Sequence, residues 1–177
     1  MCRYLLLVAS LLIAGCGNDV DTYQHTQPQL DIFRWFNGES RAWGMVQDYR
    51  GRQIRRFEVR IHGTVTEDTL TLDERFAYDD GETQTRLWHI HKRADGRYTG
   101  TAADIIGTAT GKSAGNAFNW RYTMTVKTRS DSYRLNFDDW IFQQDTHHLM
   151  NVTSMKKFGV EVAHITLFFS KEPEAWQ

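Results

Sequence analysis

LTLDERFAYDDGETQTRLWHI, residues 70–90, consists of two alternating runs joined by Asp79-Asp80-Gly81, and the fold is decided there. Leu70, Leu72, Glu74, Phe76 and Tyr78 share one parity, and Thr71, Asp73, Arg75 and Ala77 the other, which is the period-2 pattern of a half-buried strand. The second run answers with Gln84, Arg86, Trp88 and Ile90 against Thr85, Leu87, His89 and His91. Opposed residues of an antiparallel pair lie on one face, so joining the two apolar faces requires position numbers with an even sum. A two-residue loop at Asp80-Gly81 gives an odd sum. A three-residue loop, with a type I turn over Asp79-Asp80 and Gly81 in the left-handed conformation, pairs Tyr78 with Glu82. That register predicts Leu72 opposite Trp88, Leu70 opposite Ile90 and Glu74 opposite Arg86. Carboxylate and guanidinium then share a face with Phe76 and Trp88, with Cβ atoms ~5 Å apart.

Outward from the hairpin the punctuation is regular. Upstream, Phe57, Val59 and Ile61 alternate with Glu58, Arg60 and His62 in a strand over 53–65, and Tyr49-Arg50-Gly51 separates it from a strand over 42–48. Downstream, Asp95-Gly96 closes a turn, a Gly-, Ala- and Thr-rich strand is expected over 98–107, and a flexible hairpin turn over 107–115. Phe118, Trp120, Tyr122, Met124 and Val126 make the clearest apolar face in the chain. A turn at Ser130-Asp131-Ser132 leads to Tyr133, Leu135, Phe137, Asp139 and Ile141, and final strands follow over 149–155 and 160–170. Eight to ten strands joined by hairpins, with no long helix, predict an all-β antiparallel meander. Closure into an up-and-down barrel removes exposed edges, so a barrel is expected, lipocalin-like in outline only, with an open β-sandwich as the alternative.

The amino terminus reads as an address. Residues 1–15 carry Arg3 and then an apolar run about half the ~20 residues that span a bilayer, so a removed secretion signal is expected rather than a membrane helix. Ile13-Ala14-Gly15-Cys16 resembles the bacterial lipobox, which implies cleavage after Gly15 and attachment of diacylglycerol to the Cys16 thiol. Gly17, in place of an aspartate, implies transport to the outer membrane, with the protein facing the periplasm. An ordinary secretory signal with an incidental cysteine is the alternative. Residues 16–29 are polar and read as a tether, and residues 30–177 as one domain, with a short helical turn at Leu30, Phe33 and Phe36 ended by Asn37-Gly38.

Composition excludes several classes. The chain has two cysteines, Cys2 within the signal and Cys16 at the lipid site, so no disulfide is available to the domain. Net charge is −1 over the whole chain, both signs are interspersed, and no basic field for nucleic acid exists. The two prolines, Pro28 and Pro173, lie near the ends, as continuous strands require.

Phe36-Asn37-Gly38, Ala42-Trp43-Gly44, Arg55-Arg56-Phe57, the run from Leu72 to Glu82, Arg86-x-Trp88, Gly100-Thr101-Ala102-x-Asp104, Trp120-x-Tyr122, Asp138-Asp139-Trp140 and Lys157-Phe158-Gly159 together resemble the DUF3833 family of bacterial lipoproteins of unknown function. The resemblance spans nearly all of the domain. It implies a Gram-negative envelope lipoprotein and assigns no activity, catalytic residue or cofactor.

The candidate chemistry rests on Glu74, Arg86, Asp104 and Asp139, four charges that parity sets among apolar neighbours. Buried charges need partners, so an interior ion network that holds register is one account. The other is a polar floor to a ligand cavity, where Arg86 holds a carboxylate or phosphate head and Trp88, Trp120 and Tyr122 the apolar part. General acid–base work by Glu74 with an aspartate is a further alternative, although no nucleophile stands out. His89 and His91 read as solvated exterior residues rather than metal ligands, His147-His148 as turn residues, and Gly111-Lys112-Ser113 lacks the rest of a phosphate-loop pattern. The expected function is a membrane-anchored protein that binds a lipid or other small amphipathic ligand in its barrel, with no cofactor. The alternatives are an envelope enzyme acting on a lipid-like substrate and a structural or assembly lipoprotein with a filled core.

Overall fold

In the computed structural model, which describes residues 18–128 and 131–171, the meander closes on itself. The strands are β1 (Gly38–Asp48), β2 (Gln53–Thr66), β3 (Thr69–Tyr78), β4 (Thr83–Lys92), β5 (Arg97–Thr101), β6 (Ile105–Ala114), β7 (Ala117–Lys127), β8 (Ser132–Gln143), β9 (His148–Lys157) and β10 (Val160–Ser170). Each pairs antiparallel with its neighbours in sequence, and β1 also pairs with β10, so the sandwich alternative is excluded. The expected signal, Cys16, Ser130 and Pro173 lie outside the described residues.

The hairpin at residues 70–90 has the expected register. Leu70 faces Ile90, Leu72 faces Trp88 and Glu74 faces Arg86. Tyr78 N–H donates to Glu82 O at 2.9 Å, Gly81 N–H donates to Tyr78 O at 3.1 Å, and Gly81 has φ +86°. Only a residue without a Cβ takes that conformation at no steric cost.

The strand expected over 98–107 is broken. β5 ends at Thr101, the chain turns at 102–104 with Ile105 N–H donating to Ala102 O, and β6 starts at Ile105. The segment expected as a flexible turn, 107–115, is mostly strand β6, and the tight turn is confined to Gly115-Asn116. Gly, Ala and Thr carry no apolar alternation by which to recognise this wall. Their smallness has a packing purpose, because Trp120 lies against the backbone here. A Cβ on Gly111 would stand 2.5 Å from the Trp120 ring and 2.6 Å from Asn119 O, and one on Gly100 would stand 2.8 Å from the same ring.

Inward parity builds the core from Val59, Ile61, Leu70, Leu149 and their neighbours, each almost fully buried. Burial of such a side chain is worth about 1.5–3 kcal/mol. A barrel of ten strands has a wider bore than one of eight, and side chains of the strands alone fill it less completely. Here one end is stoppered by α1 (Ile32–Phe36), which starts at Asp31, whose carboxylate accepts from Phe33 N–H at 3.0 Å. Ile32, Phe33, Trp35 and Phe36 are all buried, and Phe36 packs edge-on against Phe169 of β10. The carbonyl of Phe36 comes so close to Gly63 of β2 that a Cβ there would lie 1.8 Å from it.

Residues 18–29 do not hang free as the expected tether. A 3₁₀ turn at Val20–Tyr23 buries Val20, and the Tyr23 ring meets Trp140 and Phe142 on the outside of β8. Thr26 Oγ1 accepts from Asn116 N–H at 3.0 Å, and Leu30 N–H donates to Gly115 O at 2.8 Å. One tyrosine and one valine in a polar run are enough to dock it, a signal that average polarity conceals.

Candidate ligand-binding cavity

The pairing around β4 is lopsided. On its β3 side the ladder runs from Thr69↔His91 to Ala77↔Thr83, whereas on its β5 side it covers only His89 to Lys92. Beyond the end of β5, the first half of β4 faces the start of β6 across a seam without backbone pairing among the described residues. Arg86 spans it. Its Nε donates to Asp104 Oδ1 and Oδ2 at 3.2 and 3.0 Å, and its Nη2 lies 2.9 Å from Oδ2. A fork of N–H donors against one carboxylate is the strong form of this contact. Nη2 also approaches Met124 Sδ at 3.2 Å, and the guanidinium stands 5.3 Å from the centre of the Phe76 ring.

Glu74, though directly opposite, is the weaker partner. Its Oε2 lies 3.7 Å from Arg86 Nη1, an ion-pair distance too long for a hydrogen bond, and this oxygen is buried with no hydrogen-bond partner. Burial pushes the Glu74 carboxyl from 4.5 up to about 7; Arg86 opposes the rise, and Asp104 and Asp139 add to it. Asp139 on β8 is in the same position. Burial raises it from 3.8 to about 7 against the hydroxyls of Thr153 and Tyr122, and its Oδ1 is buried without a partner. Burial and then the charge of Asp139 hold the Tyr122 phenol well above its ordinary value. Burial opposes the charge of Arg86, yet Glu74, Tyr122 and Asp104 together raise its pKa above the usual value.

Glu74, Arg86, Trp88, Trp120, Tyr122 and Asp139 all line one cavity of about 130 Å³ inside the barrel. Six of the seven residues expected to make a ligand site are thus brought together. The seventh, Asp104, is not part of the wall and stands behind Arg86, which it holds. It arrives there through the turn at 102–104 and not by the strand parity that first singled it out. For Arg86, expected to hold a carboxylate or phosphate head, Asp104 is a competitor, since two of its nitrogens already serve that carboxylate. The aromatic wall is continuous. Trp88 meets Trp120 and Tyr122 edge-on at 5.7 and 5.4 Å, and Tyr122 stacks on Phe137 at 4.9 Å.

Ile32 and Phe36 of the stopper, and Asn151 and Thr153 of β9, also line the cavity and were not anticipated from the sequence. For the β9 pair a signal existed, because Leu149, Asn151, Thr153 and Met155 share one parity and all four are buried. Thr153 Oγ1 donates to Asn151 Oδ1 at 3.1 Å, and the Asn151 amide donates to Trp140 O at 3.2 Å. His89 and His91 are exposed on the outer face, with Nδ1 atoms 3.3 and 2.9 Å from the hydroxyls of Thr71 and Thr69. His148 Nδ1 lies 2.9 Å from Asp145 Oδ2 in the turn before β9.

The family described as Protein of unknown function (DUF3833) matches residues 10–171, nearly the whole chain. Among solved structures the S-type phycobiliprotein lyase from Guillardia theta is similar, with a TM-score of 0.56 at 9% identity, covering 80% of this chain and 92% of that one. At such identity the likeness is one of fold: a closed, lipocalin-like antiparallel barrel. An odorant-binding protein aligns with a TM-score of 0.38 at 13% identity, covering 85% of this chain and 80% of that one. No curated protein matches the chain.

Proposed function

The chain belongs to the DUF3833 family, and we propose that it is a lipid-anchored protein of the bacterial outer membrane, facing the periplasm, whose barrel takes a small amphipathic molecule. The observation that carries the binding half is the cavity itself: a partly open, largely aromatic space lined by Glu74 and Asp139, each with a buried carboxyl oxygen that has no hydrogen-bond partner among the described residues. Apolar walls with a few convergent polar groups are the usual make-up of a small-molecule site. The volume sets the scale. About 130 Å³ is close to that of an engineered cavity of about 150 Å³ that admits benzene. A ring or a short chain fits the cavity as it stands, and a complete lipid requires side chains such as Phe76 or Trp88 to move.

The anchoring half rests on Ile13-Ala14-Gly15-Cys16 and the apolar run before it. Its check is the intact mass of the chain made in a Gram-negative host: loss of residues 1–15 with a gain of acyl groups, both abolished by Cys16→Ser. Binding is tested by native mass spectrometry of protein extracted from its own envelope. A reproducible small-molecule adduct supports the proposal, whereas uniformly empty barrels favour the filled-core alternative.

A further inference from the structure

We infer that the polar group this cavity recognises is a small cation, a primary ammonium on a compact apolar body, seated between Glu74 and Asp139. The inference rests on the binding role proposed above and specifies the ligand's chemistry.

The first argument is a charge count. The interior network holds one cation, Arg86, against three carboxyls, Glu74, Asp104 and Asp139. Asp104 takes the hydrogen bonds of Arg86 across the seam and Glu74 only a 3.7 Å ion pair to Nη1, so a single cation serves three carboxyl groups. The second argument is hydrogen bonding. Glu74 Oε2 and Asp139 Oδ1 are the buried orphans of the site, and a carboxylate oxygen lacks donors, not acceptors. An ammonium has three N–H donors and one positive charge, so it supplies both wants at once. A carboxylate or phosphate supplies neither. It brings a further negative charge toward Glu74 and Asp139, and two nitrogens of the guanidinium in the cavity wall already serve Asp104.

The remaining groups around the pair leave this balance in place. Tyr122 faces Asp139 as a neutral phenol, and Thr153 and Asn151 are uncharged. From the outer faces of the neighbouring strand positions Asp73 acts on Glu74 and Asp138 on Asp139, both adding negative potential. Arg121 lies 3.1 Å from Asp138 on the exterior and is spent there. In the absence of a cation the two carboxyls accept protons instead, consistent with burial lifting both to about 7. Trp88 and Trp120 line the same cavity, and aromatic rings beside an ammonium add to its attraction.

Three probes of matched shape, benzylamine, benzyl alcohol and benzoate, distinguish the possibilities on the unaltered full-length chain. Binding is followed by ligand-observed NMR and by the fluorescence of the cavity tryptophans. The expected result is that benzylamine binds most tightly at about pH 8 and weakens by about tenfold or more toward about pH 5.5, as Glu74 and Asp139 take up protons. Benzyl alcohol changes little over that range. Glu74→Gln weakens benzylamine at about pH 8 several-fold more than it changes benzyl alcohol, and it flattens the benzylamine pH profile. Preference for benzoate, or a benzylamine affinity indifferent to pH, overturns the cation assignment and leaves a binding barrel. Failure of all three probes to bind overturns the binding role itself. Because the pH profile uses the unaltered chain, the outcome does not depend on whether the variant folds.

Discussion

The seam that closes the barrel and the seam beside β5 join their strands by different means. Between β1 and β10 the backbone is paired without a break from Arg41↔Ser170 to Asp48↔Ala163. Outside that seam Trp43 stacks on Phe168, and inside it Ala42, Val46, Ile165, Leu167 and Phe169 are apolar, with Gly44 making room for the Phe57 ring. Between β4 and β6 the intervening strand is short, and where it ends a side-chain pair, Arg86 with Asp104, replaces the ladder. A backbone ladder satisfies its own polar groups, so apolar side chains suffice beneath it. Where the ladder stops, charges have to be carried inward to span the gap, and Glu74 and Asp139 stand among the groups that surround them. The incomplete wall thus accounts for Arg86 and Asp104, whereas Glu74 and Asp139 sit on strands paired on both sides.

The sharpest way to break this contrast is Arg86→Met. The change removes the bridge across the seam and leaves Glu74 and Asp104 without their cation. Loss of one partner of a buried network costs about 3–5 kcal/mol. Urea denaturation near pH 7.5 should show a loss of that order, and a change below ~1 kcal/mol would mean that the seam does not depend on the pair.

The second prediction concerns pH. In the unfolded chain Glu74 titrates near its ordinary 4.5, and in the barrel near 7. Between those values the unfolded state is ionised while the folded state retains the proton. The contribution to stability is complete below about 4.5 and is lost as pH rises through about 7, an effect on the order of 3 kcal/mol for Glu74. Asp139, raised from 3.8 to about 7, acts in the same direction. The thermal midpoint is therefore expected to be higher at about pH 5 than at about pH 8, and Glu74→Gln should flatten the dependence. A midpoint that rises over this interval in the unaltered chain would refute the assignment of two buried acids.

The smallest effect belongs to the fully paired side. Arg41 of β1 lies 2.7 Å from Glu58 of β2, but both side chains are about a third exposed, at 30% and 32%. Arg41→Met should change stability by less than ~1 kcal/mol, because solvent screens the pair and the backbone ladder already holds the strands. Equal losses for Arg41→Met and Arg86→Met in the same denaturation series would erase the distinction between strands held by a backbone ladder, such as β1 and β2, and the seam that a side-chain pair closes.

Much of the barrel was legible one strand at a time. Parity in residues 70–90, with Gly81 in the one conformation that makes the sum of paired positions even, placed Glu74 against Arg86 and Trp88 against Leu72 before any tertiary information. The same alternation identified Trp120, Tyr122 and Asp139 as inward. It failed over 98–115, where small residues carry no pattern and the break at 102–104 reverses the chain. The short turn at Leu30, Phe33 and Phe36 was legible from its helical spacing but its place at the end of the barrel was not, and Tyr23 was passed over as a dock, since a few apolar residues disclose that they pack, not where.

Outside residues 98–115 the sequence by itself determined the strands, the hairpin at residues 70–90 and which faces turn inward, because side-chain alternation and turn chemistry act over a few residues and need no distant partner. Only the tertiary structure decided that β1 meets β10, that Arg86 gives its fork to Asp104 rather than to the facing Glu74, and that two carboxyl oxygens remain buried and unpaired. Those outcomes depend on which distant groups share a desolvated space, a competition among charges that exists only once the barrel has closed.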